Sequence, residues 1–203
     1  MKSLVVFALL VFSVPALANH PGERLDEVTA ENEPAFEQTV HHPPTLAVRR
    51  SDGQRFDLRN LEDRVVVLSF VPDDCEEPCT AQQARLIEVQ EAINDTPMRE
   101  MVAFVTVASP GQAAAHSADS VNWITVIQPE IGAVAETAEE WANMSIRGGE
   151  APKVYVLGRG ARHAGIFHGA GFDRINMVLY INGLTNAHSP KPSLLDRFWR
   201  LFQ

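Results

Sequence analysis

The only two cysteines of this chain, Cys75 and Cys79, stand four residues apart. Residues at i and i+4 lie one helical turn apart, so with Cys75 in a loop and Cys79 in a first helical turn the two sulfurs can reach bonding distance. Two chemistries follow from such a pair. One is reversible disulfide exchange, and the other is soft-metal ligation by two thiolates, a donor set that suits copper(I). Plain scaffolding suits the pair poorly, because a bridge across so short a loop removes little entropy from the unfolded chain. The neighbouring residues act on both chemistries. A helix N-terminus favours a thiolate, whereas Asp73, Asp74, Glu76 and Glu77 fill the same segment with negative charge that opposes thiolate formation and attracts cations.

The elements that position the pair can be read from apolar periodicity. Residues 65–71, VVVLSFV, form a continuous apolar run of strand length, the pattern of a central strand buried on both faces. After Cys79 the period becomes helical, with Leu86, Val89 and Ile93 on one face and Arg85, Glu88 and Glu91 between them. The cysteines therefore occupy a strand-to-helix turn just beyond the carboxyl end of the strand, where open α/β sheets collect their reactive groups. Residues 45–48 and 54–58 read as a hairpin turning at Asp52-Gly53. Residues 101–108 and 121–127 read as two more strands, 112–120 as a short helix, and 130–144 as an amphipathic helix. A hairpin of 153–157 and 162–167 follows. The last core helix, 174–182, is capped by Asp173, has Ile175, Val178 and Leu179 on one face, and ends at Gly183. Alternating strands and helices of this kind predict an α/β fold, a central sheet flanked by helices.

The ends of the chain carry different signals. Lys2, an apolar stretch over 4–14 too short to span a bilayer, and Ala16-Leu17-Ala18 form a signal peptide with cleavage expected after Ala18. The protein is then exported, to the periplasm if its source is Gram-negative, and an oxidising compartment lets the thiols pair. Residues 19–44 read as a flexible lead-in, with His41-His42 solvated beside Pro43-Pro44. Residues 45–184 hold the domain, and 185–203 hold a linker and a C-terminal amphipathic helix. Leu194, Leu195, Phe198, Leu201 and Phe202 form the apolar face of that helix beside Arg197 and Arg200, suited to docking on the domain, a dimer contact or a membrane surface. A net charge of −9 with no basic run excludes a nucleic-acid partner.

A cysteine pair at a strand-to-helix turn, then further αβ units, then Gly149-x-x-Pro152 before a hairpin, then Gly169-Ala170 and a final helix, resembles the thioredoxin fold over residues 45–184. That fold has a central mixed sheet. In that family the proline before the hairpin is preceded by a cis bond and lies against the reactive sulfur, which implies a catalytic set of Cys75, Cys79 and Pro152. Cys75-Glu76-Glu77-Pro78-Cys79, with three intervening residues, is similar to the Sco/SenC copper proteins of cytochrome oxidase assembly. Thioredoxin-like oxidoreductases space the pair by two. The Sco resemblance implies copper bound at Cys75 and Cys79 for delivery to an oxidase subunit or another cuproprotein; the oxidoreductase one implies a metal-independent exchange protein acting on a periplasmic client. The chain departs from the Sco pattern where Glu150 replaces the expected histidine ahead of Tyr155. Topology nominates His168 as the replacement ligand or proton carrier, because the strand returning from the turn at 158–161 ends beside the cysteines. His163 begins that strand and should be remote, and His116 and His188 sit in surface segments.

Overall fold

The computed structural model of the chain describes residues 24–39, 42–50, 52–112, 122–161 and 164–186. In chain order the elements are α1 (Leu25–Asn32), β1 (Phe36–Gln38), β2 (Ala47–Arg49), β3 (Arg55–Asp57), β4 (Val65–Val71), α2 (Glu77–Asn94), β5 (Val102–Ala108), β6 (Trp123–Ile127), α3 (Ala133–Ala142), β7 (Lys153–Leu157), β8 (Ala164–His168) and α4 (Arg174–Asn186). Six strands form one mixed sheet in the order β1-β8-β7-β4-β5-β6, and β2 and β3 form a separate hairpin. β4 is parallel to β5 and β5 to β6, while β7 runs antiparallel to β4 and to β8. The central strand is therefore the predicted one, and all seven of its residues are buried.

Alternation along β4 divides the core into two layers. Val65 and Val67 pack with Leu86, Val89 and Ile93 of α2 and with Met177, Tyr180 and Ile181 of α4. Val66, Leu68 and Phe70 face the opposite way, onto Val134 and Trp141 of α3 and Val48 and Phe56 of the hairpin. Each such side chain gains about 1.5–3 kcal/mol by leaving water, against about 1–2 kcal/mol for fixing its backbone, so a strand buried on both faces is favoured without polar help. Two polar residues enter the α2 layer all the same. Ser69 and Thr106 are satisfied by Gln83, whose amide nitrogen donates to Ser69 Oγ at 3.0 Å and whose carbonyl accepts from Thr106 Oγ1 at 3.3 Å. Trp123 Nε1 donates to Thr106 Oγ1 at 3.1 Å. These bonds fix the position of α2 along the sheet, and with it the position of Cys79 one turn before Gln83.

Several expectations need correction. The segment expected to be a flexible lead-in supplies α1 and β1, and β1 pairs with β8 with Phe36 wholly buried. Both elements are too short for a period to show, and their burial is decided by partners far along the chain: Phe36 packs on Phe167 and Tyr180, with centroids 5.2 and 4.8 Å apart. Helix α4 runs past Gly183 to Asn186 and buries Met177, Tyr180, Ile181 and Leu184, leaving Ile175 and Leu179 each 58 % exposed. Gly183 is not a helix stop; a Cβ there would come within 2.5 Å of Leu25 Cδ1, so its bareness lets α1 approach α4. The Asp173 cap holds, with Oδ1 accepting from the backbone of Ile175 and Asn176 at 2.7 and 3.1 Å. The signal peptide, most of the expected helix at 112–120, His41, His116, His163, His188 and the C-terminal helix lie outside the described residues.

Gly165 in β8 sits as tightly as Gly183, but against aromatic rings. A Cβ there would lie 2.5 Å from Phe36 Cε2 and 2.6 Å from Tyr180 Oη, both on rings held by other rings. Gly165→Ala is expected to destabilise by about 1–3 kcal/mol through overpacking, read as a lower denaturant midpoint at constant slope. Gly183→Ala should cost less, because the tip of Leu25 can turn aside and alanine favours the helix. Equal losses at the two positions would refute the distinction.

Candidate redox site

Beyond Val71 the chain turns through Pro72, and the Cys75 amide donates to the Pro72 carbonyl at 3.3 Å. Helix α2 begins two residues after Cys75, with Pro78 in its first turn, where a missing N–H leaves no helical bond unmade. Cys75 and Cys79 are joined in a disulfide, their Cα atoms 5.6 Å apart. The two sulfurs differ in access. Cys79 is 1 % exposed and packs on Val71 and Ala108 at the ends of β4 and β5, whereas Cys75 is only partly buried. The Phe70 carbonyl lies 3.9 Å from Cys79 Sγ, an acceptor for the proton that Cys79 would carry after reduction. Around Cys75, the side chains of Asp73, Asp74, Glu76 and Glu77 are exposed.

The opposite wall comes from the segment before β7 and the turn after β8. Cys75 shares a cleft of about 230 Å³ with Phe70, Pro72, Pro152 and Tyr155. A wider opening beside it adds Asp74, Glu76 and Glu77 from the cysteine side and Gly169 and Ala170 from the other, and Glu150 borders both. Pro152 thus faces the disulfide, but the peptide bond before it is trans, since no described peptide bond is cis. Gly148 and Gly149, at φ +63° and +87°, supply the chain reversal in its place, a backbone that residues with side chains rarely adopt. The Pro152 carbonyl accepts from the Gly169 amide at 2.7 Å, extending the β7–β8 ladder by one bond. Tyr155 is almost wholly buried, and burial, reinforced by the charge of Glu37, holds its phenol well above the ordinary range.

His168 sits opposite Lys153 in the ladder, at the cysteine end of β8. Its Nε2 is engaged elsewhere, 2.7 Å from Glu37 Oε2, and it lines neither opening beside Cys75. Glu37 is 4 % exposed and also accepts from Ser145 Oγ at 2.7 Å and from the Ile146 amide at 2.6 Å. Burial raises its pKa, but the bonds from Ser145, Ile146 and His168 outweigh burial and hold the carboxyl below the usual range. Burial, joined by the charges of Lys153 and Arg147, outweighs Glu37 and lowers the pKa of His168, so at neutral pH the imidazole is neutral and donates from Nε2. Arg147 completes the clasp, donating to the carbonyls of Pro34 and Phe36 at 2.8 and 2.6 Å. The wall carrying Glu150 and Pro152 is thus anchored on β1. Among the described residues no three His, Cys, Asp or Glu side chains converge to hold a metal ion.

No protein family and no curated protein matches the chain in sequence. Solved structures match its fold. BsSco, a member of the Sco family of cytochrome c oxidase assembly proteins in which a disulfide switch was identified, superposes with a TM-score of 0.57 at 14 % identity, covering 74 % of this chain and 97 % of its own. A thiol:disulfide interchange protein of the thioredoxin family from Chlorobium tepidum gives 0.50 at 15 %, covering 74 % and 98 %. Arabidopsis thaliana ScoI with copper bound gives 0.51 at 14 %, covering 72 % and 100 %. The chain has the thioredoxin-like fold that these proteins share.

Proposed function

We propose that this is an exported, Sco-like thiol-disulfide exchange protein whose Cys75–Cys79 pair cycles against the cysteines of a periplasmic client protein. The observation that carries the proposal is the unequal access of the two sulfurs: both cysteines border the cleft beside Pro152, but Cys79 is 1 % exposed while Cys75 is only partly buried. A client thiolate attacks Cys75 Sγ, and the Cys75–Cys79 bond breaks with Cys79 leaving as thiolate. The client's second thiolate then attacks the client sulfur of the mixed disulfide and releases Cys75. Two electrons pass from the client dithiol to the pair, and Cys75 and Cys79 take up two protons.

A second reading follows from the likeness to the copper-bound plant protein and from the three-residue spacing. Reduced Cys75 and Cys79 would carry copper(I) as cargo on two sulfurs alone, for transfer to an oxidase subunit or another cuproprotein. Glu150 is a hard oxygen donor and suits that ion badly, and His168 is held by Glu37. One preparation tests both readings. Intact mass before and after reduction and alkylation should show one disulfide that opens under native conditions and re-forms on exposure to an oxidised dithiol. A bridge that opens only in denaturant overturns the exchange reading. Copper(I) titration of the reduced protein giving one ion per thiol pair supports the cargo reading, and no binding removes it.

A further inference from the structure

We propose that Gln82 is the positioning residue that holds the Pro152 wall of the cleft against the disulfide, a role that rests on the thiol-disulfide reading above. Gln82 lies on α2 three residues after Cys79 and is wholly buried. Its amide nitrogen donates to the Gly169 carbonyl at 3.0 Å, and the Gly169 amide donates to the Pro152 carbonyl at 2.7 Å. Two consecutive bonds thus run from the cysteine helix, across the turn after β8, to the residue that faces the disulfide. Gly169 makes this possible by taking φ +67°; a Cβ there would meet nothing within 4 Å, so its backbone conformation rather than space calls for glycine.

Packing alone does not account for a glutamine at this position. The neighbouring Gln83 has both ends of its amide satisfied by Ser69 and Thr106, as a buried structural amide should. Gln82 Oε1, in contrast, is buried without a partner, which costs stability that an apolar side chain of similar volume would avoid. What glutamine supplies and leucine or methionine cannot is the donor to Gly169. The link matters for exchange because the client sulfur must enter between Cys75 and the opposite wall, and a displaced wall lowers the fraction of encounters with the sulfurs in line. A small reductant needs no wall.

The test uses the full exported chain with three substrates: dithiothreitol, a synthetic peptide carrying a cysteine pair as the dithiol client, and the same peptide oxidised. Gln82→Met should slow exchange with the peptide on the order of tenfold while reduction by dithiothreitol changes less than about twofold. It should also raise the native-state hydrogen-exchange rate of the Gly169 amide. Gln82→Glu is the second variant: a buried, neutral carboxylic acid can donate to Gly169, so its exchange with the peptide should approach the parent's at low pH and fall as the acid ionises. With a packing role the loss on ionisation would appear with dithiothreitol as well, whereas here reduction by dithiothreitol should stay close to the parent's at each pH. Should Gln82→Met exchange with the peptide as the parent does, or the Gly169 amide stay protected in it, Gln82 is a core residue and the proposal fails. A parent that dithiothreitol reduces but the peptide never does overturns the exchange reading itself, and this inference with it.

Discussion

Cys75→Ser is expected to abolish exchange with a client peptide, whereas Cys79→Ser leaves a protein that captures the oxidised peptide as a mixed disulfide, held once the freed peptide thiol is alkylated, and cannot complete the exchange. The asymmetry follows from burial. With Cys79 shut against Val71 and Ala108, only Cys75 can meet an incoming sulfur. In Cys79→Ser the Cys75 thiolate attacks the peptide disulfide and frees one peptide thiolate; with no Cys79 to complete exchange, the mixed disulfide can only revert through that peptide thiolate, which alkylation blocks. Non-reducing mass spectrometry should find an adduct of protein plus peptide in Cys79→Ser and none in Cys75→Ser. Equal trapping by both variants would mean that the order of attack is wrong. Neither change should unfold the protein, because the chain-entropy contribution of a bridge this short is only about 2 kcal/mol, and the Val71–Cys79–Ala108 contact survives a one-atom change.

The disulfide-bonded pair was legible in the sequence because its signals are local. An unbroken apolar run, a change of period and the only two cysteines all fall within thirty residues, and the structure shows β4, the turn and α2 there. The wall opposite was far less legible. Glu37 is one acid in a polar stretch, and its meaning comes from Ser145, Ile146 and His168, each more than one hundred residues away. Gln82 and Gln83 did leave a trace, two amides on the same stripe of α2 as Leu86 and Val89, but their partners lie on other elements. Helix α4 misled for a different reason. Apolar residues occupy several sides of it, so Ile175 and Leu179 look as eligible as Tyr180 and Ile181 until β1 and β8 place Phe36 and Phe167 on one side. The trans bond before Pro152 has no side-chain signature either, since the cis or trans state of an X-Pro bond is set by tertiary context.

Glu37→Ala should destabilise the protein by about 3 kcal/mol or more, the largest loss expected from any single polar substitution considered. Three buried or half-buried donors, Ser145 Oγ, the Ile146 amide and His168 Nε2, would lose a charged acceptor at once, and hydrogen bonds to charged groups are worth about 1.5–3 kcal/mol each. The same cluster makes stability fall with acidification. His168 has its folded pKa lowered from 6.5, so below that value the unfolded chain takes up the proton first and stability drops. Glu37 is likewise held below 4.5, so its contribution is complete above that value and is lost as pH falls through its folded pKa. Denaturant titrations between pH 7 and pH 3 should therefore show two stages of loss, the first starting near pH 6.5 and the second below pH 4.5. Glu37→Gln keeps the volume, removes the second stage, and lowers the pKa of His168 further by taking away the neighbouring charge. A variant with the parent's slope below pH 4.5 would mean that another carboxylate governs that stage. The consequence reaches the cleft, because Glu37 and Arg147 tie the segment bearing Glu150 and Pro152 to β1: exchange with the peptide should weaken in Glu37→Gln at neutral pH while reduction by dithiothreitol holds.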